Sequence, residues 1–421
     1  MPTVLFLGAS VSQLAAIRQA RESGWRVVAV DGDPSAVALD LADVAEPTDF
    51  NDLERVIEIG RRHAIDAVVA ISSDRAVPIA AAVAERLGLP GIGVETAHRM
   101  TDKAAMRLHL QEHQIPQPPF AVVATADQAL RELERIGLPA VLKPVDSGGQ
   151  RGVCVINTRR DLVDRLPQTL TYSASKRAIL ESYVEGSELN AIVVVRRGDP
   201  HLITLSDRLR PPGPGFGVGW IHLYPSRLAS ETLTTAEGVA LAAVRALGLQ
   251  NGIAFPQLLA TDEDNVVVVE VAARIPAGQM ADLVRLGAGI DLVDIALRQA
   301  HGEEIPDEVI ARRSERPLAI RFLTASPGIL PIGRVLAVDG VDRILSSPGV
   351  LEAGIYIQPG ETISAVEVDA DRRGYVIATA RDPLAALELA DRAAQQLRVD
   401  IADRQPILPT LRAGSPSSEI G

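Results

Sequence analysis

The chain has 421 residues, 47% hydrophobic, 23% charged and only 3% aromatic. Domains usually run to about 100–200 residues, so the chain should hold three or four cores, and no disorder signature dominates its composition. Its 42 basic and 54 acidic residues leave a net charge of −12, the wrong sign for a nucleic-acid or anionic-membrane partner, and so few aromatics offer little platform for stacking bases.

The N-terminal apolar run has no basic region before it and is soon followed by a glycine turn, so it reads as a first strand and not as a signal peptide. No stretch reaches the roughly 18 apolar residues of a membrane helix. The expectation is a cytoplasmic protein with no membrane partner. From there "TVLFLGAS", "SQLAAIRQARESG", "WRVVAVDGDP", "LERVIEIGRRHA", "IDAVVAISSD" and "AVPIAAAVAERLG" alternate strand and helix. This predicts a Rossmann-like α/β unit over 1–97. The first turn, "GASVSQ", is not G-x-G-x-x-G, which argues against a nicotinamide oxidoreductase, although Asp31 after the second strand would suit a ribose contact.

"TDKAAMRLHLQEHQIPQP" opens a second section, 98–186, with Thr101 as the expected N-cap. Lys103 lies in the first helical turn, where acids are usual; a lysine at a helix N-terminus suits a bound anion, although a solvated lysine is the commoner case. His109 and His113 are spaced i, i+4 but lack a third ligand, and read as a solvated helix face. Phe120 to about Val184 reads as a small α+β module. In it, "VLKPVDSGGQRGV" sets Lys143 before the glycine-rich run, the reverse of the Walker order. Cys154, the only cysteine, excludes an internal disulfide and should be a buried structural thiol. In "ILESYVEGSELN", Glu181 and Glu188 flank a short apolar stretch and a break at Gly186. The segment could serve a base and a ribose, or be an ordinary linker.

The third section, 187–312, changes to strand meanders. "NAIVVVRR-GDP-HLITLSDRLR" predicts a hairpin turning on Gly-Asp-Pro, and Arg210–Gly219 a long loop, either a lid or a connector. In the second hairpin, "FPQLLA-TDEDN-VVVVEVAAR", a four-residue turn over Asp262–Asn265 pairs Thr261 with Val266. Gln257 then falls opposite Glu270, with Ala272 and Arg274 on the same face. An amide oxygen beside a carboxylate suits a hard cation such as Mg²⁺, and Arg274 stands ready for a phosphate; a solvated polar face is the alternative. Residues 313–405 carry their own strands and an amphipathic helix and predict a fourth, covering domain, with 406–421 as a flexible tail.

In order and spacing these pieces resemble the ATP-grasp superfamily of carboxylate–amine ligases, from Val4 to about Asp400. The resemblance implies an α/β and α+β multidomain fold: a Rossmann-like pre-ATP-grasp domain, a two-lobed ATP-grasp core and a C-terminal α+β domain. It implies that Lys103 and Lys143 reach the phosphates of ATP, and that Ser147, Gly148 and Gly149 form a lid over them. Glu181 with the backbone of Tyr183 and Val184 would face adenine, and Glu188 the ribose. Gln257 and Glu270 would hold Mg²⁺, with Mn²⁺ as an alternative. Ala272 stands where the family usually has asparagine, so a second ion would lack a ligand.

Within the superfamily, the C-terminal portion and "GFGVGWIHLYPSRL" are most similar to amino-acid ligases. The function so implied is activation of a small-molecule carboxylate, an amino acid by preference, as an acyl phosphate that an amine attacks. Lys143 and Arg274 would be catalytic, and Arg208, Arg210, His222 and Arg227 are candidates for the acceptor pocket. A homodimer is compatible with similar proteins. The alternatives are a degenerate ATP-binding protein, suggested by Ala272, and a carboxylase-type enzyme acting on bicarbonate.

Overall fold

The computed structural model describes residues 1–210, 217–261 and 265–402; the expected flexible tail and most of the long loop after Arg210 lie outside them. The first sheet is parallel, with β1 (Thr3–Leu7), β2 (Arg26–Asp31), β3 (Val44–Pro47) and β4 (Ala67–Val69) in the order β3-β2-β1-β4. All five positions of β1 are buried, as in a parallel strand covered on both faces. Leu5 and Leu7 pack with Val56 and Ile57 of the helix Leu53–Arg62. Val4 and Phe6, on the other face, join a core that continues through the helices Leu14–Glu22 and Met280–Ala288 to Ile192 and Phe255. The N-terminal unit is therefore joined to the next lobe by apolar packing. Asp31 accepts from the Ala9 amide at 2.8 Å and so braces the turn after β1.

The second sheet is antiparallel and small: β5 (Phe120–Val123), β6 (Ala140–Pro144), β7 (Cys154–Ile156) and β8 (Ala178–Ser182), ordered β5-β8-β6-β7. The helices Ala126–Ile136 and Arg159–Thr171 share its core. The helix before it starts at Lys103, capped by Asp102, whose carboxylate accepts from the Ala105 amide. Thr101 is not the cap because its hydroxyl donates back to the Ala97 carbonyl of the preceding helix.

The remaining strands are β9 (Ser187–Arg196), β10 (Asp199–Leu209), β11 (Ile221–Tyr224), β12 (Gly252–Ala260), β13 (Val266–Ala272), β14 (Leu318–Phe322), β15 (Gly333–Asp339), β16 (Val350–Ile355), β17 (Thr362–Ile363), β18 (Gly374–Thr379) and β19 (Arg398–Ala402). Eight of them form one antiparallel sheet, β13-β12-β9-β10-β11-β14-β18-β16. The covering domain expected over 313–405 is therefore continuous with the large lobe through β14, β18 and β16, and only β17-β15-β19 make a sheet of their own. The β9–β10 hairpin turns on Arg197 and Gly198, not on Gly-Asp-Pro: both residues have positive φ, 51° and 79°, as a two-residue type I′ turn demands, and Asp199 already pairs with Arg196.

Candidate functional site

The β12–β13 hairpin places Gln257 directly opposite Glu270, by a register other than the expected one. Ala260 pairs with Val266, and the Thr261 amide donates to the Asn265 carbonyl, so Thr261 does not pair with Val266. The turn at 262–264 lies outside the described residues. Farther along, Leu258 pairs with Val268 while Gln257 pairs with Glu270. Val269 is thus the extra residue of a bulge, and it restores the register that a regular ladder would have lost.

Arg107 holds that bulge, a residue that periodicity alone passed over. It is 2% exposed and donates from Nη1 to the Val268 carbonyl at 2.9 Å, from Nη2 to the Val269 carbonyl at 2.7 Å and from Nε to Glu181 Oε1 at 2.7 Å. Its only sequence signal is its spacing: Lys103, Arg107 and Leu110 fall on one buried helix stripe, and a charge on such a stripe needs a partner.

Glu181 takes Arg107 on one oxygen and Lys143 on the other, at 2.6 Å. Burial alone would raise this carboxyl, but the charges and hydrogen bonds of Arg107 and Lys143 outweigh it and bring the pKa down to about 2. Both Glu181 oxygens are thus paired with cations, and the residue lines the same cavity as Tyr183 and Val184, with which the sequence groups it. A cavity of about 90 Å³ beside them is lined by Lys143, Glu181, Tyr183, Val184, Glu188 and Gln257, among others. The Tyr183 amide donates to the Pro139 carbonyl. Glu188, expected at a ribose, pairs with Arg208 and Arg210.

A second cavity of similar size adjoins it, with Asp74, Gly148, Gly149, Asn190, Arg208, His222, Glu270, Ala272 and Arg274 in its wall. Lys103 Nζ lies 3.0 Å from Glu270 Oε1 and donates to the Ser147 carbonyl at 2.8 Å. Burial would lower its pKa, but Glu270 and Asp74 prevail and raise it, so the amine stays charged. Arg274 grips Asp74 with two bonds, Nε–Oδ1 at 2.6 Å and Nη2–Oδ2 at 2.7 Å. Asp74 follows β4, so the N-terminal unit orients the arginine of the central sheet. The glycine-rich run approaches the same pair: a Cβ at Gly148 would lie 2.6 Å from Asp74 Oδ2.

Three adjacent strands carry a polar row. Asn190 on β9 pairs with Gln257, which pairs with Glu270. Asn190 Oδ1 is buried without a hydrogen-bond partner among the described residues. An orphaned amide oxygen, a second amide and a carboxylate fit a hard divalent cation. Ala272, opposite Phe255, adds no ligand.

Of the acceptor-pocket candidates, Arg208 lines both cavities, Arg210 the first and His222 the second. Burial, then the charges of Arg372 and Arg208, push His222 well below the usual histidine range, so it is neutral near pH 7. Arg227 lines neither; it pairs with Asp207 at 3.0 Å, and Asp207 alternates with Ser206 and Arg208 and so points to the other face. Arg372 and Asp369, from the C-terminal segment, line the second cavity and were not foreseen. A wider cleft, about 930 Å³ between the N-terminal unit and the central sheet, touches Arg274 but no other expected site residue.

Comparison with known proteins adds to this geometry. Residues 102–308 match the family described as carbamoyl-phosphate synthase L chain, ATP binding domain, and residues 321–402 match L-amino acid ligase C-terminal domain 2. The uncharacterized protein y4rH of Sinorhizobium fredii is 29% identical over 319 residues, 75% of this chain and 64% of its own length, so the chain spans less than two thirds of it. The L-amino acid ligase from Bacillus licheniformis superposes with a TM-score of 0.81 at 20% identity, covering 96% of this chain and 99% of that one. The biotin carboxylase domain of 2-oxoglutarate carboxylase from Hydrogenobacter thermophilus, solved with MgADP and bicarbonate, reaches 0.77 at 18% identity over 94% and 90% of the two chains. At these identities the structural likenesses are likenesses of fold.

Proposed function

The chain belongs to the ATP-grasp superfamily, with a C-terminal domain of the L-amino acid ligase kind, and on that premise we propose that it is an ATP-dependent carboxylate–amine ligase whose activated acid is an amino acid. The observation that carries this reading is the polar row Asn190–Gln257–Glu270, set beside a charged Lys103 and an aspartate-held Arg274.

The chemistry needs little covalent help from the protein. A carboxylate is a poor electrophile until phosphorylated, and its acyl phosphate must meet an amine before water. Lys103 and Lys143 supply charge for the phosphates, which requires Lys143 to loosen from Glu181. Gln257 and Glu270, with Asn190 beside them, would hold a divalent cation, which when bound neutralises charge on the transferring phosphoryl group. Arg274, held by Asp74, would stabilise the oxyanion of a tetrahedral intermediate. Ser147 to Gly149 exclude water by lying across the cleft.

A second reading, bicarbonate as the activated acid, is favoured by the modest size of the cavity at Arg274. An ADP-release screen over amino acids and small carboxylates, with bicarbonate as one arm and mass spectrometry of products, separates the two. The expected result is amino-acid-dependent ADP release with an amide product, abolished by K143A in a chain that still folds. ADP release by K143A equal to wild type would remove Lys143 from the mechanism. Silence of the wild type with every acid and amine would remove the ligase reading.

A further inference from the structure

Among the described residues, one cluster of ligating side chains lies outside the site just described. His109, Glu112 and His113 stand at i, i+3 and i+4 at the end of the helix Lys103–Glu112, and one ligand atom from each falls within 4.8 Å of the others. The two rings lie at a centroid distance of 4.8 Å, tilted by 45° to each other, and Glu112 Oε2 lies 3.5 Å from His109 Nδ1. His113 Nδ1 is 2.9 Å from the His109 carbonyl, an acceptor only, so Nδ1 carries the proton and donates. That bond leaves Nε2 as the lone-pair nitrogen and fixes the ring. An imidazole braced in this way by a backbone carbonyl is the usual support of a metal-bound histidine.

We propose that His109, Glu112 and His113 form a binding site for a late first-row divalent cation of the zinc class. Two imidazoles and one carboxylate on a single turn make a mixed N/O donor set, which suits Zn²⁺, Ni²⁺ or Cu²⁺ and not Mg²⁺. Separations up to 4.8 Å need only small side-chain rotations to meet one ion, and all three groups reach solvent, which completes the coordination. The site is separate from the polar row: Lys103, Arg107 and Leu110 form the buried stripe of the same helix, whereas these three residues do not. None of them lines any of the three cavities. The order His-x-x-Glu-His also occurs in zinc peptidases, but these residues line none of the three cavities described, and the assignment is binding and not hydrolysis.

The test titrates the metal-free full-length chain with Zn²⁺ against a chromophoric chelator, in excess Mg²⁺ to fill hard oxygen sites. One equivalent should bind, be lost in H109A and in H113A, and be weakened in E112Q. No bound equivalent, or binding unchanged in both histidine variants, overturns the proposal. A second measurement on the unmutated chain guards against misfolded variants. Substoichiometric Cu²⁺ should broaden the imidazole resonances of His109 and His113 before those of the other five histidines; broadening that begins elsewhere overturns it equally.

Discussion

Five charged side chains meet around Glu181 and Glu270: Lys103, Arg107 and Lys143 with the two glutamates between them. Such a group is costly to bury and tolerates no missing member; removing one partner of a buried pair typically costs about 3–5 kcal/mol. Glu181 gives this a pH signature. Its pKa falls from an ordinary 4.5 to about 2 on folding. Between those values the unfolded chain binds a proton that the folded chain refuses, so stability rises with pH across the window. The contribution is complete above pH 4.5 and drains away as the pH falls towards 2. Urea unfolding midpoints of the wild-type chain should therefore drop through that range more steeply than those of E181Q, which is less stable throughout. Equal slopes would show that the carboxylate titrates normally. Lys103, Lys143, Glu181 and Glu270 were legible in the sequence because each sits in a local pattern: a helix start, a glycine-rich run, an extended segment, an alternating strand. Arg107 and Asp74 were not. Their partners lie 161 and 200 residues away, at Val268 and Arg274, and no local period reports a contact across that distance.

At the scale of a single hairpin, two departures from the expected register cancel. A regular ladder from the observed turn would put Val269 opposite Gln257 and turn Glu270 to the core face with Val268. The bulge returns Glu270 to the side of Gln257, and the sequence "VVVVEVA" holds no glycine or proline to mark it. The pairing was readable because the polar residues must share a face; the route to it was not, because the bulge is fixed from outside by the Arg107 fork. R107K tests that reading. The lysine keeps a charge beside Glu181 but cannot span the Val268 and Val269 carbonyls at once. The variant should bind Mn²⁺ more weakly than the wild type, by roughly tenfold if the row loses its alignment, with free Mn²⁺ followed by electron paramagnetic resonance in the absence of turnover. Unchanged Mn²⁺ binding in a folded R107K chain would mean that the strand holds its own bulge.

The whole molecule is less divisible than its sequence reads. The strand-and-helix pattern of 313–405 predicts a domain laid over the others, yet β14 pairs with β11 residue for residue from Leu318–Tyr224 to Arg321–Ile221. Ile320 stands opposite His222, which faces the second cavity, while Arg372 and Asp369 close that cavity from beyond β14. The pattern of 313–405 announces strands there but not the strand β11 that they join, and it could not choose their neighbours, since edge pairing between distant segments leaves no trace in either. The consequence can be measured. A chain ended at residue 312 would bare the edge of β11, a short apolar strand of sequence IHLY, and strip Ile320 and Phe322 from the core they share with Ile192 and Phe255. An exposed edge of that kind pairs with other chains. The truncated chain should therefore sediment as aggregates or be cleaved rapidly by protease, and it should not bind nucleotide. If it stayed monomeric and protease-resistant, the central sheet would be stable without β14, and the C-terminal segment would be a cover after all.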